Sequence, residues 1–278
     1  MILISGVEIR DNIEAELKEM VAKLDKKPCL AVIQVGDNQA SNVYVRNKER
    51  ACERVGIDTK TYKLPEDTTE EELLDLINVL NHDSEKNGIL VQLPLPKHIN
   101  VTKVLETILP IKDVDGFHYS NVGKMFLGLD TLLPCTPHGI MKMLEYIEAD
   151  IEGKHAVVVG ASDIVGKPMA QLLLQEGATV TQCHIKTKDL AFHTKQADIL
   201  VVAVGKEKLI TVDMVKEGAI VIDVGINRNA EGKLCGDVDF ENVKEKVSAI
   251  SPVPKGVGAM TVAMLLYNTL KAYVLQNS

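Results

Sequence analysis

A single lysine interrupts the apolar face of a predicted helix in the first fifth of the chain. At 3.6 residues per turn over residues 41–55, Lys48 falls one turn after Tyr44, near the middle of an apolar stripe. The stripe consists of Ser41, Tyr44, Val45, Lys48, Ala51, Cys52 and Val55. Because a buried ammonium group must pair or lose its proton, Lys48 has two interpretations. It is a lysine whose stem packs while its head reaches water, or it is a catalytic lysine beside an aromatic ring.

Two further polar positions lie where ligands are commonly bound. Gln92 stands at the carboxyl end of a predicted strand and is followed by prolines, so it either faces a ligand or satisfies a buried backbone group. Asp113, Asp115 and His118 lie in a segment that also fits a tight turn with Gly116 at its apex. Three oxygen ligands for a divalent metal are not evident there, and we therefore predict no metal site.

A glycine-containing loop follows a predicted buried strand and opens a helix that reaches about residue 175. In residues 160–168 the loop places Gly160 where a dinucleotide pyrophosphate binds against a helix N-terminus. The match to G-x-G-x-x-G is imperfect, because Ser162 replaces the second glycine and Gly166 is displaced. The alternative is a plain strand-to-helix turn in which Ser162 or Asp163 caps the helix and Pro168 occupies its first turn.

The strand after this loop favours one dinucleotide over the other. NAD enzymes usually carry Asp or Glu at the end of this strand to bind the ribose hydroxyls, and none occurs near Cys183. Lys186, Thr187 and Lys188 follow instead, and these side chains suit the 2′-phosphate of NADP. We therefore predict NADP, with NAD as the alternative.

The elements that position these residues alternate between strand and helix. Strand-like apolar runs cover residues 30–35, 59–64, 89–93, 156–159, 178–181, 199–203 and 219–222. A helix opens at residues 68–72 with the acidic first turn of a capping box and runs to about residue 81. Residues 228–236 read as a surface excursion, and an apolar helix closes the chain. This alternation predicts parallel sheets in an α/β fold, and a Pro-rich irregular stretch ending at residue 138 predicts a domain junction.

Composition narrows the class of protein. The 278 residues suffice for two domains, and a net charge of -8 argues against binding to nucleic acid or to an anionic membrane. The five scattered cysteines suit reduced thiols in the cytosol. The N-terminal apolar run is too short for a signal peptide, and no apolar stretch approaches the roughly 18 residues of a membrane span. We therefore expect a cytoplasmic protein.

Nine segments, in this order, resemble the bifunctional methylenetetrahydrofolate dehydrogenase/methenyltetrahydrofolate cyclohydrolase family over nearly the whole chain. They are VGDNQAS (35–41), YVRNK (44–48), GILVQLPLP (88–96), KDVDGFH (112–118), PCTP (134–137), GASDIVGKP (160–168), DVGIN (223–227), GDV (236–238) and PVPKGVGAMT (252–261). A Tyr-x-x-x-Lys pair also marks short-chain dehydrogenases, but there it follows the nucleotide loop. Here Tyr44 and Lys48 precede Gly160 by more than a hundred positions.

The resemblance implies two α/β domains with parallel sheets and a folate cleft between them. Residues 1–137 with 257–278 would form the folate-binding catalytic domain, and residues 138–256 a Rossmann-like NADP-binding domain. The last helix would return to the first domain, and the protein would be a homodimer. By position, Lys48 resembles the catalytic lysine and Tyr44 the ring that packs on the folate. Gln92 would be the polar partner of the lysine, and Asp115 the carboxylate that binds the pterin.

The resemblance also implies contacts to the cofactor and to the rest of the substrate. Cofactor binding falls on Gly160, Ala161, Ser162, Ile185 and Ile226, and Gly256 joins the substrate-binding residues. The family usually has Arg and Ser near the 2′-phosphate where this chain has Ala161 and Ile185. Lys255, Ala259 and Tyr119 also replace the family's usual Gly, Pro and Pro. We expect these last three to affect the seat of the folate tail rather than the chemistry.

The function implied is a two-step conversion in one-carbon metabolism, linked to purine biosynthesis. NADP-dependent oxidation of 5,10-methylenetetrahydrofolate would give the methenyl form, and hydrolysis would then give 10-formyltetrahydrofolate. Hydride loss needs no general base, whereas hydrolysis needs a group that exchanges a proton near neutral pH. Lys48, held by Gln92, fits that need. The alternatives are a dehydrogenase without hydrolase activity and a catalytically silent nucleotide-binding protein.

Overall fold

The computed structural model describes residues 1–277, apart from the side chain of residue 40. The elements in chain order are β1 (Ile2–Leu3), α1 (Gly6–Val21), β2 (Cys29–Val35), α2 (Gln39–Val55), β3 (Asp58–Leu64), α3 (Glu70–His82), β4 (Gly88–Val91), α4 (Val101–Thr107), α5 (Tyr119–Phe126), α6 (Cys135–Tyr146), β5 (His155–Val159), α7 (Gly166–Gln175), β6 (Thr179–Cys183), α8 (Leu190–Thr194), β7 (Ile199–Val202), a 3₁₀ turn (Val212–Met214), β8 (Ile220–Asp223), β9 (Asn227–Arg228), β10 (Leu234–Cys235), α9 (Phe240–Val243), β11 (Ala249–Ile250) and α10 (Val257–Asn277). No helix within residues 1–277 combines the length and the apolar character that crossing a membrane requires.

The chain divides into two compact units. One contains residues 1–11 and 136–261, and the other contains residues 12–135 and the C-terminal segment from residue 262. These units differ from the predicted domains at the N-terminus, because β1 pairs in parallel with β11 and so belongs to the sheet of the first unit. They also differ at residues 257–261, which form the first turn of α10. A two-residue strand carries too little pattern to be assigned from sequence.

The unit with residues 12–135 is built on a three-stranded parallel sheet of order β3-β2-β4. Alternate residues of β2 point to opposite faces, and both faces are buried. On one face Leu30 and Val32 pack with α2 and α10, and on the other Ala31 and Ile33 pack with α3 and α4. This double burial explains the continuous apolar run of β2.

Helix α3 confirms the predicted start signal. Thr69 is its N-cap and accepts a hydrogen bond from the Glu72 backbone N–H, and Glu72 in turn accepts from the Thr69 backbone N–H at 2.8 Å. The helix runs to His82, one residue beyond the predicted end. Local sequence was sufficient here because both partners of the cap lie within one turn.

The other unit contains a six-stranded parallel sheet of order β1-β11-β8-β7-β5-β6. From β5 the chain passes through α7 to β6 on one side, then returns to β7 on the other side of β5. This reversal next to β5 is the switch point at which Rossmann-like sheets bind ligands. The predicted surface excursion is a short hairpin in which β9 and β10 pair antiparallel. The α/β fold with parallel sheets is therefore confirmed.

Candidate active site

Helix α2 places Lys48 beside the sheet of its unit. Val45, Ala51, Cys52 and Val55 are buried and pack into the core beneath α2, which confirms the apolar stripe predicted for residues 41–55. Lys48 lies on this stripe and is half-buried. Tyr44 lies one turn earlier and is 46% exposed, so its ring is open to a ligand.

A hydrogen bond joins Lys48 to Gln92. The Lys48 Nζ donates to Gln92 Oε1 at 3.0 Å, and Gln92 Nε2 donates to the Leu93 carbonyl at 2.7 Å. The second bond fixes the amide so that its oxygen is presented to the lysine. Gln92 itself is held because its backbone N–H donates to the Ile33 carbonyl at 2.8 Å, just past the end of β4. A lysine that only snorkelled to water would not need this arrangement.

Asp115 carries a carboxyl group that titrates near neutral pH. Burial raises its pKa from 3.8 to about 6, the positive charge of Lys48 acts to lower it, and Asp113 acts to raise it. The influence of Lys48 on this pKa places the lysine and the carboxyl in one electrostatic environment. The structure thus brings an amine, an amide and a carboxyl from three separate segments together.

The turn that carries Asp115 is fixed from the opposite side by residues that the sequence did not reveal. The buried Asn268 of α10 donates through Nδ2 to the carbonyls of Val114 and Leu133, both at 2.8 Å. Gly116 has φ +72°, and a Cβ there would lie 2.5 Å from the Leu133 carbonyl carbon, so this turn requires glycine. Asn268 gave no sequence signal, since one asparagine in an apolar helix is unremarkable.

Asp113 and Lys112 support the same turn and are not free for a metal. The Asp113 carboxylate accepts from the His118 backbone N–H and the Asn121 side chain at 2.8 and 2.9 Å. Lys112 Nζ donates to the carbonyls of Leu80 and Asp83 at the end of α3. Burial raises the pKa of Asp113 and lowers that of Lys112. Among residues 1–277, no three His, Cys, Asp or Glu side chains are arranged to hold a metal ion.

In the other unit, the 160–168 loop fits a dinucleotide. Gly160 follows β5 with φ +133°, and a Cβ there would lie 2.3 Å from the Ala203 carbonyl oxygen. A Cβ on Gly166 would lie 2.3 Å from the Gly160 carbonyl oxygen, so both glycines permit close backbone packing at the start of α7. Ser162 Oγ accepts long hydrogen bonds of 3.3 Å from the backbone N–H groups of Val165 and Gly166. The N-cap of α7 is Val165 and has no side-chain cap, so the alternative in which Ser162 or Asp163 caps the helix is wrong, and Ser162 instead bonds the backbone of the loop at the switch point.

The remaining predicted cofactor residues lie at the carboxyl edge of the same sheet. Ile185 follows β6 and is 99% exposed, in a turn closed by the His184 N–H donating to Thr187 Oγ1 at 2.8 Å. Ala161 follows Gly160 directly, and Ile226 follows β8 and is 52% exposed. Gly256, which was predicted to bind substrate, is buried, and a Cβ on Gly6 would lie 2.0 Å from the Gly256 carbonyl oxygen. These residues and Gly160 all belong to the unit with residues 136–261, whereas Lys48, Gln92 and Asp115 belong to the other.

A Rossmann-like sheet with a glycine loop at its switch point is typical of a dinucleotide-binding enzyme, and an amine, an amide and a carboxyl group brought together in a second α/β unit are groups capable of acid–base chemistry. Comparison with known proteins identifies the family. The description "Tetrahydrofolate dehydrogenase/cyclohydrolase, catalytic domain" matches residues 4–115, and "Tetrahydrofolate dehydrogenase/cyclohydrolase, NAD(P)-binding domain" matches residues 134–277. The chain belongs to this family, as the sequence segments predicted, and it is an NAD(P)-dependent bifunctional enzyme.

Individual relatives agree with this assignment over their full length. The bifunctional protein FolD of a Sulfurihydrogenibium species is 60% identical, with 98% of each chain covered. The crystal structure of the bifunctional FolD enzyme from Campylobacter jejuni has a TM-score of 0.97 and 56% identity, with 99% of each chain covered. A Trypanosoma brucei methylenetetrahydrofolate dehydrogenase-cyclohydrolase, complexed with NADP cofactor and inhibitor, has a TM-score of 0.94 and 37% identity, covering 99% of this chain and 98% of that one.

The raised pKa of Asp115 predicts a pH-dependent cost of folding. Because the folded-state pKa of about 6 lies above 3.8, the stabilisation is present below pH 4 and is lost as pH rises through 6. Relative to Asp115→Asn, the wild-type free energy of unfolding should fall by about 2–2.5 kcal/mol between pH 4 and 7.5. Urea unfolding across this range measures it. Asp75→Asn, at an exposed site on α3, should keep the wild-type slope, and an equal slope in D115N would contradict the assignment.

Proposed function

We propose that the protein oxidises 5,10-methylenetetrahydrofolate with NADP and then hydrolyses the methenyl product to 10-formyltetrahydrofolate. The 3.0 Å hydrogen bond between Lys48 Nζ and Gln92 Oε1, beside the carboxyl group of Asp115, is the observation that carries this proposal. It favours both activities over a dehydrogenase alone, because a polarised lysine is needed only for hydrolysis. Intact residues at all three positions also argue against a silent nucleotide-binding protein.

The oxidation step depends on positioning rather than on a base. Hydride leaves the methylene carbon that bridges N5 and N10, and the lone pairs of these nitrogens stabilise the amidinium cation that forms. The bound nicotinamide supplies the hydride acceptor. Alignment of the reacting groups can contribute about 7–11 kcal/mol. The chain's own contribution in this step is to hold the pterin, and the exposed ring of Tyr44 is available to pack on it.

Hydrolysis requires proton movement at the same carbon. Water attacks the amidinium carbon, a proton must leave this water, and N5 must gain a proton when its bond to carbon breaks, which leaves the formyl group on N10. Lys48 is the group proposed to exchange these protons. Its partner Gln92 is uncharged, so it holds the nitrogen without fixing the proton on it by charge pairing.

Asp115 is proposed to bind the pterin. Pterin rings carry N–H donors beside ring nitrogens, and a carboxylate accepts hydrogen bonds from such donors. With a pKa of about 6, Asp115 is mostly ionised near neutral pH, when it can accept two of these bonds. Tyr44, Lys48, Gln92 and Asp115 then make up the proposed substrate residues of this unit, and substrate binding by Gly256 stays a prediction from the sequence.

Replacing the lysine should separate the two activities. Lys48→Met keeps the stem but removes proton exchange, so hydrolysis of methenyltetrahydrofolate should fall by about 10²–10⁴-fold while oxidation stays within about tenfold of wild type. Absorbance assays of each step on the purified protein measure this. Lys86→Met is the matched control, since Lys86 is a lysine of low exposure near the amino ends of the strands of the same unit, where Lys86 Nζ lies 3.6 Å from Asp83.

Hydrolysis at the wild-type rate in K48M would overturn the role of the lysine. Wild-type protein that oxidised the substrate but did not hydrolyse the product would establish the dehydrogenase-only alternative. If neither reaction occurred with either dinucleotide, the silent nucleotide-binding protein would be established instead.

The choice of NADP rests on the turn after β6. Lys186 and Lys188 are exposed there, and the carboxylate that follows them, Asp189, accepts from the Phe192 N–H as the N-cap of α8. They would supply the positive charge, since Ala161 and Ile185 supply none. The T. brucei relative, which binds NADP, supports the same choice.

We expect the ratio kcat/KM to be at least about tenfold higher with NADP than with NAD. The double variant Lys186→Gln, Lys188→Gln should lower the value for NADP about tenfold or more and leave that for NAD unchanged, because each charge-assisted bond contributes about 1.5–3 kcal/mol. Lys195→Gln, an exposed site after α8, is the control. A preference for NAD in the wild type would contradict this reading of the turn.

We propose a homodimer in which strand β3 is part of the interface. On the far side of β4 the sheet edge is occupied, because the Ile89 N–H donates to the Lys112 carbonyl at 2.8 Å. On the other side β3 pairs only with β2 among residues 1–277. Its seven residues therefore offer backbone groups that a second copy could pair with.

Light scattering should give about twice the chain mass of 30.4 kDa. The Asp58 N–H donates to the Pro28 carbonyl, and successive residues of a strand point their backbone groups to opposite sides. The Thr61 N–H, three residues further, therefore points away from β2. Thr61→Pro removes that donor without breaking the β2–β3 ladder and should shift the mass to that of one chain. A monomeric wild type would contradict the dimer, and a dimeric T61P would contradict the role of β3.

A cytoplasmic location and a contribution to purine biosynthesis complete the proposal. The product 10-formyltetrahydrofolate is a formyl donor of the kind that purine assembly consumes. The net charge of -8 supports the absence of nucleic-acid and membrane partners. The free cysteines, none of them in a disulfide among the described residues, support a reducing compartment.

A further inference from the structure

Two buried carboxylates in the Rossmann-like unit take no part in the chemistry proposed above. Asp223 ends β8 and is 3% exposed, and Asp237 follows β10 and is 0% exposed. Neither has a Lys or Arg partner within salt-bridge distance among the described residues. Buried carboxylates without a cation are costly unless several hydrogen bonds satisfy their oxygens. Their hydrogen-bond partners therefore indicate what they do.

The Asp237 carboxylate binds the backbone of the loop that follows β7. Its Oδ2 accepts from the N–H groups of Val204 and Gly205 at 2.7 and 3.0 Å. Its Oδ1 accepts from the N–H of Lys206 at 2.7 Å and from Asn227 Nδ2 at 2.9 Å. Three consecutive backbone donors thus converge on one side chain, which fixes the conformation of this loop and ties it to the segment after β8.

Asp223 and Asp237 interlock through two glycines. The Asp223 carboxylate accepts from the backbone N–H groups of Gly225 and Asp237 on Oδ1 and of Val238 on Oδ2. A Cβ on Gly225 would lie 2.3 Å from the Asp237 carboxyl carbon, and a Cβ on Gly236 would lie 1.8 Å from Asp223 Oδ2. Each carboxylate occupies the space that a side chain on the opposite segment would need. The segments DVG (223–225) and GD (236–237) therefore hold each other in one conformation.

The segments held by this pair present apolar side chains at the carboxyl edge of the sheet. Val204 is 39% exposed, although its N–H is bonded to Asp237, and Ile226 is 52% exposed between the bonded residues Gly225 and Asn227. The preceding Ala203 carbonyl lies against Gly160 of the nucleotide loop. Exposed apolar side chains on rigid backbone at a switch point are typical of a ligand surface.

The strand order identifies which half of the dinucleotide this surface would contact. In Rossmann-like sheets the pyrophosphate binds at the loop after the first strand, here β5, and the adenosine ribose lies beside the end of the next strand, here β6. The loops after β7 and β8 lie on the other side of β5. A dinucleotide extended across the switch point places its nicotinamide half there.

We propose that Asp237, locked in place by Asp223, is a positioning residue for the nicotinamide half of the bound dinucleotide. It acts through the backbone, by holding Val204 and Ile226 where the ring and its ribose are seated. The inference rests on the proposed function for the identity of the dinucleotide. It predicts that disturbing Asp237 weakens contacts to one half of the cofactor and spares the other half.

The test is direct binding of NADP⁺ and of adenosine 2′,5′-bisphosphate to wild type and Asp237→Asn by calorimetry. Whichever way the new amide is placed, its NH₂ group faces at least one backbone N–H, so either the bonds from Val204 and Gly205 or the bond from Lys206 are lost. The Kd for NADP⁺ should rise about tenfold, and the Kd for the bisphosphate, which lacks the nicotinamide half, should stay within about twofold. Hydrolysis of methenyltetrahydrofolate, measured without cofactor, should also be unchanged within about twofold.

Asp198→Asn is the matched control. Asp198 precedes β7 at the opposite edge of the same sheet, where its carboxylate accepts from the His155 N–H at 2.9 Å and from Lys216. This variant should leave the Kd values of both ligands at their wild-type levels. Equal weakening of both ligands by D237N would show a general structural role and overturn the inference, as would an unchanged Kd for NADP⁺.

Asn227→Ala provides a milder variant if D237N does not fold. It removes one of the four hydrogen bonds to Asp237, so NADP⁺ binding should weaken about threefold while bisphosphate binding is retained. Absence of this split in N227A would also overturn the inference. Wild-type protein that bound NADP⁺ without oxidising methylenetetrahydrofolate would contradict the proposed function alone, because the positioning role is judged by binding.

Discussion

The pairing of a lysine with an amide is the interaction on which the proposed chemistry depends. A carboxylate partner for Lys48 would stabilise the ammonium form and hold its proton. The amide oxygen of Gln92 accepts a hydrogen bond and adds no charge, and the amide is kept in that orientation by the Leu93 carbonyl. The carboxyl group of Asp115, whose pKa burial raises to about 6, lies in the same electrostatic environment. The hydrogen bond to Gln92 therefore holds the amine in position without adding a second charge beside it.

Buried acids recur in the irregular segments of both units, where they bind backbone N–H groups. Asp113 accepts from the N–H of His118, and Asp223 and Asp237 accept from six backbone N–H groups between them. The backbone in such turns has no ladder partner, so its donors need another acceptor. Burial raises the pKa of Asp113, and it raises that of Asp223 to about 6, because burial disfavours the charged carboxylate. The hydrogen bonds from the backbone oppose this effect, and they hold the loop in one conformation.

What the sequence revealed and what it concealed follow from the range of the interactions. The α3 capping box, the buried strands and the stripe of α2 were predictable, because their partners lie within a few residues. Gln92 and Asp115 stood out at a strand end and in a turn, but only the resemblance linked them to Lys48. Asn268 lies more than 130 residues from the carbonyls it binds, and β1 lies nearly 250 from β11, so neither could be assigned from periodicity. The GDV segment was noticed as a motif, but the role of Asp237 required its hydrogen bonds.

A single site can serve both reactions because they share one cation and differ in what they need around it. During hydride loss, positive charge develops on the N5–C–N10 group, and a fixed ammonium nearby would oppose it. During hydrolysis the same group must lose charge while protons pass between water and N5, and a residue that can hold or release a proton then becomes useful. Lys48 meets both demands only if its hydrogen-bond partner is uncharged and its side chain is not fully buried. Gln92 satisfies the first condition, and the half-buried position on α2 satisfies the second, because the stem packs on the core while the amine remains accessible to substrate.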